Sequence, residues 1–162
     1  MKIIQVKDKL SVKDLEFVLN ELMAGGVVMH PTETCYGLAV DVFQVDALRQ
    51  LYALKKMALE KPTSMMVADL AMAQQYADFH DKALELAEKF WPGPLTLVLP
   101  RKDGLPDFFN PGHATVGVRC PASALSQQLI KSYGGPLSTT SANISGVPEV
   151  YNVADYLEQL KS

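Results

Sequence analysis

Pro136-Leu-Ser-Thr-Thr-Ser-Ala-Asn-Ile-Ser-Gly146 is the stretch around which the rest of the chain reads most simply. It opens on a proline and closes on a glycine, with two Thr, three Ser and one Asn between them. Leu137 to Thr140 has the β-branched content of a short buried strand, and Ser141 to Gly146 has the composition of a loop. In open α/β sheets a loop leaving a strand end is where ligands bind. The hydroxyls, the amide and the backbone N–H groups here are neutral donors that suit phosphate or carboxylate oxygens. The plainer reading is a polar turn that satisfies its own backbone.

Working outward, Thr115-Val-Gly-Val-Arg119 alternates as a strand, and Pro121 is suited to the first position of a helix running to about Tyr133, which Gly134-Gly135 ends. Leu95 to Leu99 reads as another strand, set off by the break Trp91-Pro-Gly-Pro94. Asp81 is expected to cap a helix through Phe90, with Leu84, Leu86, Ala87 and Phe90 apolar, and Asp69 to cap a short one through Tyr76. Lys61 to Val67 reads as a loop entering a strand. Asp46 to Lys56 is a helix whose apolar stripe is Ala47, Leu48, Leu51, Tyr52 and Leu54. Val27 to His30 is a strand ended by Pro31, and Leu38 to Val42 a further short one. Ser11 caps a helix stopped by Gly25-Gly26, and Lys2 to Val6 reads as an edge strand. Beyond Gly146, Asn152 caps a last helix to Leu160. Alternating strands and helices make this an α/β domain, and the short hairpin-compatible strands argue for a mixed sheet.

Residues 1–162 are expected to form a single domain. Hydrophobic residues are 48% and charged residues 20%, which excludes a disordered chain. With net charge −3 and no basic tract, any nucleic acid must meet a local patch. Cys35 and Cys120 lack metal-like spacing, no apolar run reaches membrane-spanning length, and the N-terminus lacks a signal-peptide core, so a reducing, cytoplasmic setting is expected.

No phosphate-binding glycine loop, dinucleotide fingerprint or nucleophile elbow is present. The histidines (His30, His80, His113) have no metal-like spacing and read as structural or surface groups, so no metal site from the protein is expected. An anion-site constellation remains. Lys55 falls on the middle of its helix's apolar stripe at the helix end, where it either snorkels to solvent or reaches into a cleft. Lys61 lies in the next loop and Arg119 ends a strand. Thr32, Ser141 and Asn143 are loop donors. A partly buried Arg119 needs an anion: either Glu33 or Asp41, or a substrate carboxylate held bidentately. Without an obvious nucleophile or base, such a site points to transfer by positioning and charge neutralisation.

Five blocks, Pro31-Thr-Glu-Thr-Cys-Tyr-Gly-Leu38, Lys61-Pro-Thr-Ser64, Trp91-Pro-Gly-Pro-Leu-Thr-Leu-Val98, Thr115-Val-Gly-Val-Arg-Cys-Pro121 and Ser141-Ala-Asn-Ile-Ser-Gly146, resemble the YrdC-like threonylcarbamoyl-AMP synthase family in content and order. The resemblance implies a twisted open mixed sheet with flanking helices and a concave cavity. It implies an enzyme that makes threonylcarbamoyl-AMP and pyrophosphate from threonine, bicarbonate and ATP, with Mg2+ accompanying ATP. A downstream tRNA threonylcarbamoyl-transferase complex would use the product, and weak binding of double-stranded RNA or tRNA is compatible with it. Carried over by position, Thr32, Arg119 and Thr139 would hold threonine, with Arg119 on its carboxylate. Lys55, Lys61, Thr115, Ser141 and Asn143 would contact ATP, and Lys55 and Arg119 would be catalytic. The resemblance places Lys55 in the cleft.

Two differences from the family pattern fall on the ATP side. The family's Lys-x-Arg reads Lys55-Lys56-Met57 here. The family's further C-terminal strands, with a Ser and an Arg that close the site, have no counterpart before Ser162, so the domain is expected to be short at its C-terminus. Two alternatives follow: a catalytically impaired paralogue that binds nucleotide or RNA, and a domain serving carbamoyl transfer of another kind.

Overall fold

Alternating apolar residues pin the sheet of the computed structural model, which describes residues 1–161. Six strands run β1 (Val28–Pro31), β2 (Tyr36–Ala39), β3 (Ser64–Met66), β4 (Thr96–Pro100), β5 (Thr115–Arg119) and β6 (Leu137–Ser141), in the spatial order β1-β2-β6-β3-β5-β4. Only β3 and β5 pair in parallel; the other neighbours are antiparallel, so the sheet is mixed. The helices are α1 (Val12–Met23), α2 (Val45–Leu54), α3 (Leu70–Ala73), α4 (Asp81–Phe90), α5 (Ala124–Tyr133) and α6 (Val153–Lys161). No described helix is long and apolar enough to cross a membrane.

Side chains alternate across a strand, so each strand serves two faces. On one face Leu38, Met65, Leu97, Leu99, Val116 and Val118 are buried with Leu48 and Leu51 of α2, Ala73 of α3, and Ala83 and Ala87 of α4. Each large apolar side chain withdrawn from water contributes about 1.5–3 kcal/mol, so this face anchors the fold. The opposite face is only partly covered: Ala39, Met66 and Leu137 pack under Val18 and Leu22 of α1 and Leu129 and Ile130 of α5. Apart from Val98 and Pro100 on the edge strand β4, the rest of it carries small or polar residues.

Several expected boundaries moved. Lys2–Val6 is not a strand: its alternation turns Ile4 and Val6 inward, but no strand pairs with it. On the outer edge of β1 the Pro31 carbonyl accepts from the hydroxyls of Ser123 and Ser126 instead. The segment is pinned by side chains, with Lys2 Nζ 3.7 Å over the Phe17 ring and Gln128 bracketing Leu10. β2 begins at Tyr36, two residues before the expected Leu38, and ends at Ala39. Ser11 and Asp69 cap as expected, though α3 stops at Ala73. His80, not Asp81, caps α4, and Phe90 is exposed. Pro121 precedes α5 rather than starting it, because Ser123 is the cap, its hydroxyl accepting from the Ser126 N–H. Leu54 is exposed at the end of α2.

Candidate active site

The uncovered part of the second face has a small-residue floor. Ser64 of β3 lies between Thr139 of β6 and Gly117 of β5 in register, so the three share one row. A Cβ on Gly117 would lie 2.4 Å from Ser64 Oγ, so glycine there is what lets the strands approach with Ser64 in place. Two residues along, ~7 Å away, the floor ends in different chemistry on each side. Arg119 stands at one end; Ser141 and Thr115 stand at the other, about 13 Å along β5 from Arg119.

At the Ser141 end, β6 runs into the loop 142–147, and the end of α2 meets it. Lys55 is the residue after α2, so its side chain leaves the helix along the apolar stripe and becomes buried. Its Nζ donates to the carbonyls of Ser141 and Asn143 and to Asn143 Oδ1, the latter two at 3.0 Å. The Lys55 carbonyl accepts the Ser145 N–H at 2.7 Å. Ser141 Oγ donates to Asn143 Oδ1 at 2.6 Å, and Asn143 Nδ2 donates to the Val147 carbonyl. Burial and the neighbouring Lys61 lower the Lys55 ammonium to about 8, while Cys35 and Glu149 oppose the shift. The group is therefore charged at neutral pH. Exposed Lys61 places Nζ 3.5 Å from Ser145 Oγ. Lys56 is exposed with φ +48°, and Met57 is half-buried.

At the Arg119 end the turn between β1 and β2 folds back over the sheet. Arg119 Nη2 donates to Glu33 Oε1 at 2.7 Å and to Thr34 Oγ1 at 3.1 Å. Glu33 Oε2 accepts the N–H groups of Ala122 and Ser123 ahead of α5. Burial pushes the Glu33 carboxyl up, but the Arg119 guanidinium and the backbone donors outweigh it and hold the pKa below the usual value. Of the two carboxylates considered for Arg119, Glu33 is the partner. Asp41 instead accepts from the Phe43 N–H and the Gln44 side chain. Arg119 Nε is buried and has no hydrogen-bond partner among the described residues. Thr32 does not face the guanidinium directly: its hydroxyl donates to the Cys35 carbonyl and accepts the N–H groups of Thr34 and Cys35, fixing the turn that carries Glu33 and Thr34. Behind that turn, His30 Nδ1 lies 2.9 Å from Ser126 Oγ, and burial lowers the ring to about 4.

The structure thus brings Lys55, Ser141 and Asn143 into contact, with Lys61 alongside and Thr115 on the same side of the floor. It puts Thr139 at mid-floor and Arg119 opposite. Sequence reasoning missed Thr34, Ser64 and Gly117, and gave Glu33 only as one of two alternatives. The small residues Ser64 and Gly117 lay within the matched blocks, but nothing in their local pattern announced a floor. A cavity of about 570 Å³ between the N-terminal segment, α1, β1 and α6 contains none of the predicted site residues. Among the described residues no group of three or more His, Cys, Asp or Glu could hold a metal ion.

Residues 20–162 match the Sua5/YciO/YrdC family model, described as "Telomere recombination". The threonylcarbamoyl-AMP synthase of Methylococcus capsulatus is 35% identical over 133 residues, covering 82% of this chain and 72% of that protein. The threonylcarbamoyl-AMP synthase of Pyrococcus abyssi is 33% identical over 147 residues, covering 90% of this chain. This chain spans 43% of that protein's length. The P. abyssi Sua5 structure complexed with L-threonine superposes with a TM-score of 0.88 at 30% identity, covering 97% of this chain and 47% of that one. E. coli YciO matches at TM-score 0.84 and 20% identity over 93% of this chain and 74% of its own, a likeness of fold.

Proposed function

The chain belongs to the Sua5/YciO/YrdC family, and we propose that it is a threonylcarbamoyl-AMP synthase. One observation carries this reading: a guanidinium and a cation-and-hydroxyl cluster stand at opposite ends of one floor of small residues, with Ser64, Thr139 and Gly117 between them. Arg119, with Thr32 and Thr139, takes threonine, and the Arg119 N–H groups receive its carboxylate. The cluster of Lys55, Ser141 and Asn143, with Lys61 and Thr115, forms the ATP end. Magnesium enters on the phosphates of ATP.

The chemistry follows from that arrangement. The threonine amine and bicarbonate give a carbamate and water. A carbamate oxygen attacks the α-phosphorus of ATP, the bond from that phosphorus to its bridging oxygen breaks, and pyrophosphate leaves. Charge accumulates on phosphate oxygens, where cations and aligned donors lower the barrier. The product is consumed by a partner that transfers the threonylcarbamoyl group to tRNA in the cytoplasm. Pyrophosphate release from ATP, magnesium and bicarbonate that requires threonine tests the reading; release that is indifferent to threonine, or none at all, contradicts it.

A second reading is favoured by Met57, which supplies no charge where the family pattern has Arg. In it the cleft binds nucleotide without turnover. Calorimetric titration of ATP and magnesium separates the two: a synthase couples ATP and threonine binding, whereas a binding module takes ATP indifferently to threonine.

A further inference from the structure

We infer that Asn110 is a positioning residue: it clasps together the two loops that enter β3 and β5, and so sets the loop carrying Lys61 against Thr115. The inference rests on the proposed function for what that end of the cleft binds, but not for the clasp itself. Asn110 lies in the loop between β4 and β5, is 3% exposed and has φ +55°. Its Oδ1 accepts the Thr63 N–H at 2.9 Å, and its Nδ2 donates to the Thr63 carbonyl at 2.7 Å. Thr63 is the residue before β3, so the side-chain amide stands in for the main chain of a neighbouring strand. A side-chain amide offers a donor and an acceptor side by side, and Asn is the amide residue that also tolerates left-handed backbone.

Both sides of the clasp are themselves held. On the β5 side, Arg101 donates to the carbonyls of Leu105, Pro106 and Phe109 at 3.0, 3.0 and 2.9 Å, so the loop wraps round one guanidinium. The Asn110 carbonyl accepts the His113 N–H at 3.2 Å across a turn through Pro111 and Gly112, and β5 begins two residues later at Thr115. On the β3 side, Tyr52 Oη donates to the Lys61 carbonyl at 2.7 Å and His113 Nε2 donates to the Glu60 carbonyl at 3.1 Å. Asn110 holds both the donor and the acceptor of one residue, so it fixes the direction in which the chain enters β3 as well as its position. Thr63 is buried. Without the amide its N–H and carbonyl lose their partners, and the segment from Lys61 to Ser64 must move to satisfy them.

Two measurements test this. The first is amide exchange in the ligand-free protein. Asn110→Gly keeps the left-handed backbone and removes the amide; it speeds exchange at Thr63 at least about tenfold, the scale of the hydrogen bonds lost, and leaves Leu129 and Ile130 in α5 as in wild type. Asn110→Asp restores the clasp only when its carboxyl is protonated, because a neutral carboxyl both accepts from the N–H and donates to the carbonyl, whereas a carboxylate has no proton to donate. Burial raises the pKa of that carboxyl, so Thr63 protection relative to wild type at the same pH is lost at about pH 8 and returns towards about pH 5. Thr63 exchange as slow in Asn110→Gly as in wild type, or no return of protection on acidification, overturns the clasp. If Asn110→Gly unfolds as a whole, the acid return in Asn110→Asp decides alone. The second measurement is calorimetric titration. Asn110→Gly weakens ATP with magnesium by at least about tenfold and L-threonine by less than about twofold, because the clasp acts beside Lys61 and Thr115 rather than at Arg119. Equal losses for the two ligands, or none, overturn the positioning role. If the wild type binds no ATP, the proposed function fails and the positioning role with it, while the ligand-free exchange still decides whether the clasp exists.

Discussion

Lys55 and Arg119 are cations at opposite ends of one sheet face, and the fold treats them differently. Lys55 is buried and its three N–H groups all face protein acceptors. Arg119 keeps 16% of its side-chain surface exposed, ties Nη2 to Glu33 and Thr34, and leaves a buried Nε without a partner. Burying an unpaired polar group is unfavourable, so the two ends differ in how completely the protein itself satisfies the cation. The lysine's N–H groups face the loop it borders, whereas the arginine shares one nitrogen with the Glu33 carboxylate and leaves another unpaired.

The largest effect is expected where that contrast is broken at Arg119. Arg119→Ala should lower threonine-dependent turnover by about a thousandfold, in line with 2–5 kcal/mol for a close charge pair, mainly through kcat/KM for threonine. A variant with wild-type kcat/KM would remove Arg119 from the threonine site.

His30 offers a buried neutral group beside these charges. Its folded pKa of about 4 lies below the 6.5 of the unfolded chain, so the unfolded state binds more protons between those values. Stability from this group is complete above pH 6.5 and declines as pH falls towards 4, by about 3 kcal/mol in all. Chemical denaturation across that range should show the decline, and His30→Phe should flatten it. An unchanged slope in the variant would assign the acid sensitivity elsewhere.

Gly117→Ala should destabilise by about 1–3 kcal/mol, the range for overpacking, because its Cβ would meet Ser64 Oγ at 2.4 Å. Pairing it with Ser64→Ala should recover part of the loss, so that the two changes are non-additive. Strict additivity in urea titrations would show that the strand contact is not the cause. The smallest effect belongs to Glu33→Gln. The ion pair is partly solvent-screened, so about 1 kcal/mol of stability is expected, read as a small fall in Tm with threonine affinity changed more than ATP affinity. An equal change in both affinities would mean that the turn supports the whole cleft rather than the arginine end.

Much of this contrast is legible in the sequence. Thr115–Arg119 was read with its observed boundaries because strict alternation around Val116 and Val118 identifies a half-buried strand. Lys55 on an apolar stripe allows two outcomes from periodicity alone, solvent or cleft; the side chain does not reach solvent but is buried against Ser141 and Asn143. Lys2–Val6 failed because alternation describes a face and says nothing about a partner strand. The role of Glu33 depends on a turn folding back over the sheet to residues 119–123, a long-range contact that local pattern does not encode. The floor escaped because Ser64 and Gly117 matter through register, which is fixed only once β3 and β5 pair.

The central claim is that one cleft joins a threonine carbamate to AMP, and the product itself is the most direct test. The wild-type protein would be incubated with ATP, magnesium, L-threonine and 13C-bicarbonate, and the nucleotide fraction examined by mass spectrometry. The account predicts a threonylcarbamoyl adenylate carrying one 13C, absent without threonine and lost in Arg119→Ala. An adenylate lacking the label, or ATP recovered intact beside bound threonine, would contradict it.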